Sequence, residues 1–405
     1  MLDRNRQLLL SFFQYALDAV NGKRCVQEFL NQKVFNKDLY TIAIGKASID
    51  MMQGAIEVTH KGLVITRYGY SHNSFANDVN IQVIESGHPL PDHNSLTAGD
   101  VLIEFIQQIP SGSECLFLLS GGASALAERL PEGLELADLE NINHWLIGSG
   151  LDIQQINLIR KQLSCIKGGR LASYFTEVKV TQLILSDVIG DHFDVIGSGM
   201  LVANEQKEEI AQIPEWAQDL INQAPPMPEP GDISFNAIES CILANNSTAL
   251  QSIKERAVSE GLPVFIETEP LVNEVQKVAE FLGQYIKTAK SGLHVFGGEP
   301  VVCLPDQPGR GGRMQMLALL LAKEISGRDD VFILCGATDG SDGSGEDAGA
   351  LVDGKTIERA DIEGFVFDDC VCKADAGTCL EATGDLIQTG PTGSNVNDVV
   401  IILKN

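Results

Sequence analysis

Short, unbroken apolar runs recur along this chain, spaced far enough apart to hold a helix between neighbours. In the first half they are Tyr40–Ile44, Leu63–Thr66, Ile81–Ile84, Cys115–Leu119 and Val180–Leu185. In the second half they are Cys241–Ala244, Val264–Ile266, Leu293–Phe296, Val301–Leu304, Val331–Cys335 and Val399–Leu403. Each has the length of a strand, and most run into Gly, Ser or Asp. A strand apolar on both faces needs cover on both faces, so the pattern predicts α/β architecture with a largely parallel sheet between helices. Helical stripes accompany it. Leu9, Leu10, Phe13, Ala16, Leu17 and Val20 share one face of an N-terminal helix. Val275, Val278, Ala279, Leu282 and Ile286 do the same within a helix over about 272–287.

A length of 405 residues suits two domains. The stretch Ala224-Pro225-Pro226-Met227-Pro228-Glu229-Pro230-Gly231 holds four prolines and reads as the joint. This places a first domain at 1–232 and a second at 233–405. The helix within 1–22 is free to pack on the second, which would make the boundary discontinuous.

Charge narrows the partners. With 55 acidic against 29 basic residues, the net charge of -26 repels nucleic acid. An anion site here has to concentrate its few cations, so Lys and Arg inside Gly-rich turns carry information. Nine scattered Cys, several in apolar runs, read as free thiols of a reducing compartment, and Cys370-Val371-Cys372 lacks the spacing of a common zinc hook. No run reaches the ~18 apolar residues of a membrane span. The expectation is a cytoplasmic protein with small-molecule partners and no membrane contact.

In α/β sheets, ligands gather at loops beyond the carboxyl ends of strands, where glycine lets backbone N–H groups approach an anion. Six such loops are candidates. Gly45-Lys46 follows a strand and opens a helix. Ser120-Gly121-Gly122-Ala123-Ser124 does likewise and suits a phosphate nest. Asp187 and Asp191 flank Gly190 and suit Mg²⁺ or proton transfer. Gly309-Arg310-Gly311-Gly312-Arg313 precedes an apolar helix and is the strongest anion signal. The loop from Thr338-Asp339-Gly340 to Gly349 is acidic, and Gly390-Pro391-Thr392-Gly393-Ser394-Asn395 precedes the last strand. Taken singly, each also reads as a tight turn or a solvated face. No P-loop, protein-kinase set, His-Glu-x-x-His or Gly-x-Ser-x-Gly occurs.

Taken in order, the segments resemble the class II glycerate 2-kinase family, whose C-terminal portion is called the MOFRL domain. They include Gly45-Lys46, Ser86-Gly87-His88-Pro89, Ser120–Leu126, Lys167-Gly168-Gly169-Arg170, Ser186–Asp191, Gly297-Gly298-Glu299-Pro300, Gly311-Gly312-Arg313, Thr338-Asp339-Gly340, Gly390-Pro391-Thr392 and Asn397-Asp398. The resemblance implies an N-terminal Rossmann-like three-layer domain with a mostly parallel sheet, a C-terminal MOFRL-type α/β domain, and an active site in the cleft between them. It implies transfer of the γ-phosphoryl of ATP to the 2-hydroxyl of D-glycerate, with Mg²⁺, and a homodimer as a possible assembly. Lys46, Arg313 and Asp339 would be catalytic. Ser120, Gly121, Gly122, Ser124, Glu299 and Asn395 would bind substrate or nucleotide, and Asp187 and Asp191 the metal.

The chain departs from the family pattern at Ala123, at Gly197-Ser198-Gly199-Met200 and at Met314-Gln315-Met316, where Asn-Gln-Glu is usual. With Met at 314 and 316, Arg313 is expected to carry the anion contact alone. Arg310 is expected to be exposed and cheap to replace. Two rival readings remain: an NAD(P)H-dependent hydroxypyruvate reductase, for which no Gly-x-Gly-x-x-Gly is found, and a non-catalytic small-molecule sensor, motivated by the two methionines.

Overall fold

The computed structural model describes residues 2–35, 39–71, 74–75, 78–204, 213–343 and 345–405. The chain forms two compact units. The first spans Gly22–Leu243; the second joins Met1–Asn21 to Ala244–Asn405.

The first unit is built on β1 (Leu39–Ile44), β2 (Thr59–Arg67), β3 (Ile81–Ser86), β4 (Glu114–Leu119), β5 (Lys179–Leu185) and β6 (Ile238–Ala244). Their order is β3-β2-β1-β4-β5-β6, and β3 to β5 pair in parallel. The apolar runs are buried almost throughout: Ile42, Ile44, Leu63, Ile65, Phe117 and Leu119 have no exposed surface. Helices such as His93–Gln107 supply the cover, with Ala98, Leu102, Ile103 and Ile106 turned inward. The strand order reverses direction between β1 and β4. The loops leaving these two neighbours therefore mark the topological switch point at the carboxyl edge of the sheet.

The second unit holds β7 (Val264–Ile266), β8 (Gly292–Gly298), β9 (Val331–Ala337), β10 (Gly349–Asp353), β11 (Leu386–Ile387) and β12 (Asp398–Lys404), in the order β11-β10-β9-β12-β8-β7. This sheet is mixed. The last strand, β12, lies antiparallel between β8 and β9, and β7 pairs with β8 in parallel. Its core joins Val275, Val278 and Leu282 to Phe296, Leu317, Ile333 and Ile402.

Two expectations change on folding, and the placement of the N-terminal helix, left open by the sequence, is decided. The division falls at 243/244, inside the end of β6, and not at 232. The proline-rich stretch is held within the first unit: Arg170 Nε donates to the Pro225 carbonyl at 2.7 Å. The N-terminal helix Leu2–Ala19 packs on β9 and the helix Asn246–Ser259 of the second unit. Arg6 seals it there, with Nη1 2.8 Å from Asp353 and Nη2 2.8 Å from Asp385. Finally, Val301–Leu304 is not a strand: Val301 makes a single bridge and both its ends are exposed. All nine cysteines are free, and Cys370 is buried while Cys372 is exposed.

Candidate active site

In the first unit, two Gly-rich loops meet at the carboxyl ends of β1 and β4. The Lys46 N–H donates to the Gly121 carbonyl at 2.9 Å. The Ala47 N–H donates to Ser120 Oγ at 3.1 Å, and the Ser120 N–H donates to the Ile44 carbonyl at 3.0 Å. The fit tolerates no side chain at Gly45: φ is +130° and a Cβ would lie 2.2 Å from Ser120 Oγ. Ser120 is fully buried, so its hydroxyl ties the two loops together. Gly122, at φ +86°, faces the His88 ring and the stem of Lys46; a Cβ there would meet them at 3.0 and 3.4 Å. Ser124 Oγ lies 2.7 Å from Ser198 Oγ.

The structure thus gathers Lys46, Ser120, Gly121, Gly122 and Ser124, and adds His88 and Ser198. Sequence reading had placed neither of these two in the site. Their signal was present, since His88 follows Gly87 and Ser198 stands between two glycines, but only the fold shows what they face.

Asp187 and Asp191 follow β5, and both are half-buried. Asp191 lines a cavity of about 500 Å³ with Phe193, Asp194, Phe235 and Ser240. Among the described residues, no group of three or more His, Cys, Asp or Glu is arranged to hold a metal. Mg²⁺ usually takes only one or two protein carboxylates and completes its shell with water and phosphate. Two carboxylates are the donor type such a shell needs, and both stand half-buried on the loop after β5.

The second cluster arises from strand register. Asp398, the first residue of β12, opposes Gly298 at the end of β8 and Ala337 at the end of β9. Glu299, Asp339 and the loop carrying Asn395 therefore come to one edge. Thr338 stitches them: its hydroxyl donates to the Asn397 carbonyl at 2.7 Å and accepts from the Val396 N–H at 2.9 Å. Asp339 accepts from the Ser341 N–H at 3.0 Å, and Asn395 is buried. Arg313 opens the helix Arg313–Glu324 at this edge. Its Nε and Nη2 donate to Asp398 at 2.5 and 3.2 Å, and Nη1 lies 3.0 Å from Glu299.

Asp342 stands where that helix lacks a side-chain cap of its own. It accepts from the Met314 N–H at 3.0 Å and the Gln315 N–H at 2.7 Å. Three carboxylates thus surround one guanidinium. Burial pushes Asp398 up to about 7, with Asp342 and Glu299 adding to the rise and Arg313 opposing it. Burial likewise raises Asp342 to about 6, against the two backbone donors and Arg313. Burial works against the charge on Arg313, but Asp398 and Glu299 outweigh it and raise its pKa.

A raised carboxyl pKa makes folding more favourable in acid. The contribution of Asp342 is complete below about pH 4 and is lost as pH rises through about 6. Urea unfolding of wild type and Asp342→Asn should therefore show wild type losing on the order of 2–3 kcal/mol relative to the variant between pH 4 and 7. Parallel curves would show that Asp342 does not titrate in this way.

Met314 and Met316 are 0% and 2% exposed and pack in the core of the second unit. One expectation about this cluster is corrected. Arg310 is not a loose surface cation: Nη2 lies 2.6 Å from Asp347, which is buried, and Nη1 lies 2.6 Å from Glu381. Arg313 and Arg310 both have carboxylate partners, so replacing either one breaks ion pairs.

The comparisons with known proteins agree with this architecture. The family described as a domain of unknown function, DUF4147, matches residues 8–224, and the MOFRL family matches residues 292–398. The D-glycerate 2-kinase of Thermotoga maritima is 32% identical, over 98% of this chain and 97% of its own. A protein of Agrobacterium vitis, 34% identical over 89% of this chain and 98% of its own, carries hydroxypyruvate reductase as a provisional name. The crystal structure of glycerate kinase from Thermotoga maritima superposes with a TM-score of 0.87 at 32% identity, covering 100% of both chains.

Proposed function

Because the chain belongs to the DUF4147–MOFRL family, the architecture of the class II glycerate kinases, we propose that it transfers the γ-phosphoryl of ATP to the 2-hydroxyl of D-glycerate. The products are 2-phosphoglycerate and ADP. The observation that carries this reading is similarity to a D-glycerate 2-kinase along 98% of the chain. Loops that fit anions, at the topological switch point of the first unit, support it.

Phosphoryl transfer asks a protein mainly for positioning and charge stabilisation. Lys46 offers a point charge to phosphoryl oxygens, and the Gly121-Gly122 backbone with Ser124 cradles them. Arg313 offers planar N–H pairs to the carboxylate of the acceptor or to the moving phosphoryl group. Glu299 and Asn395 orient the hydroxyls. Asp339 takes the proton of the 2-hydroxyl as its oxygen bonds to phosphorus and the bond to the ADP oxygen breaks. Asp187 and Asp191 would hold Mg²⁺, which when bound supplies charge neutralisation between phosphates. Small, soluble substrates suit a cytoplasmic location.

The similarity to curated glycerate 2-kinases weighs against a non-catalytic sensor. A coupled assay decides the rest. Purified protein with ATP, Mg²⁺ and D-glycerate should release ADP and form 2-phosphoglycerate. NADH oxidation with hydroxypyruvate should stay at background. ADP release absent while NADH is consumed would replace the kinase with the reductase.

A further inference from the structure

We propose that Asp398 is a positioning residue for the reaction, one that clamps the side edge of the Arg313 guanidinium so that its outer N–H groups face the anionic substrate. The inference rests on the kinase reading and names a residue that reading does not use.

The geometry divides the guanidinium in two. Asp398 takes Nε at 2.5 Å and Nη2 at 3.2 Å, a two-point grip that fixes the plane of the group. Its own position is not adjustable. It is 2% exposed, is paired with Gly298 on one side and Ala337 on the other, and its carbonyl accepts from Asn246 Nδ2 at 3.0 Å. Glu299 is placed differently. It meets only Nη1, at 3.0 Å, and its side chain is 44% exposed. A ligand carboxylate or phosphoryl oxygen can take the place of Glu299, but cannot displace a carboxylate locked between two strands. Asp398 is thus the permanent partner and Glu299 the exchangeable one. What remains for a ligand is the end-on pair, Nη1 with the second hydrogen of Nη2, which suits two oxygens of one anion.

A residue that acts through Arg313 loses its effect when Arg313 is gone, whereas a structural residue does not. The test compares wild type, Asp398→Asn, Arg313→Ala and the double variant. It reads kcat/KM for D-glycerate with ATP, the melting temperature, and the Kd of inorganic pyrophosphate by calorimetry. Asp398→Asn should lower kcat/KM roughly 30–100-fold and Arg313→Ala about 10³-fold, while the double variant falls about 10³-fold and no further. Pyrophosphate affinity should show the same lack of additivity. If Asp398→Asn does not fold, Asp398→Ser takes its place in the cycle.

Losses that multiply in the double variant, or an Asp398→Asn enzyme within threefold of wild type, overturn the proposal. Absence of turnover in wild type sinks the kinase reading alone. The proposal then stands or falls on the pyrophosphate cycle, and wild type that binds no pyrophosphate overturns it too.

Discussion

Lys46→Ala is expected to lower kcat/KM for D-glycerate about 10²–10³-fold, equivalent to roughly 3–4 kcal/mol of transition-state stabilisation. The lysine stands at the switch point between β1 and β4, on a turn whose backbone is bonded to the facing loop through Gly121 and Ser120. Its stem lies over Gly122, which also faces the His88 ring. In a chain of net charge -26, a cation held at this place is the simplest source of attraction for phosphoryl oxygens. The backbone bonds that shape the turn do not involve the side chain, so the melting temperature should stay within a few degrees of wild type. Near-normal turnover by a folded Lys46→Ala protein would take Lys46 out of the mechanism.

Lys167→Met is expected to have the largest effect on stability, about 3–5 kcal/mol. Lys167 and Glu128 are 3% and 1% exposed and form a buried ion pair through Nζ and Oε2. Glu128 also accepts from Ser164 Oγ at 2.5 Å and from the Arg129 N–H at 2.9 Å. Methionine matches the lysine in bulk and leaves the carboxylate buried without its cation. Desolvation without pairing is what makes the change costly, so Glu128→Leu combined with Lys167→Met should recover most of the loss. Urea denaturation of the three proteins measures this. A single variant within about 1 kcal/mol of wild type would mean that water or a rearranged side chain already serves Glu128.

Lys167 also shows where sequence reasoning overreaches. In so acidic a chain, cations inside Gly-rich motifs look like anion sites. Yet Lys167 pairs inward, and Arg170 spends its donors on the Pro225 and Lys161 carbonyls at 2.7 Å each. Arg310 closes onto Asp347 and Glu381. The motif fixes the residue type and a permissive backbone, but not whether the nearest carboxylate belongs to a ligand or to the protein.

Sequence alone determined the α/β class, most strand positions and the loops that carry Lys46, Ser120–Ser124, Arg313, Asp339 and Asn395. These follow from local chemistry: unbroken apolar runs demand cover on both faces, and Gly-rich turns follow strand ends. Strand direction was not local. A run buried on both faces reads the same in a parallel or an antiparallel neighbour, so the insertion of β12 between β8 and β9 left no mark on the pattern. The short β10 and β11 lay hidden beside the acidic Gly-rich loop and a turn. Only tertiary structure decided that Asp398 faces Arg313 and that Asp342 caps a helix 28 residues earlier in the chain. It also decided that the first 21 residues belong with residues beyond 243. Each of these depends on pairing between segments far apart in sequence, where register and burial, rather than residue type, choose the partner.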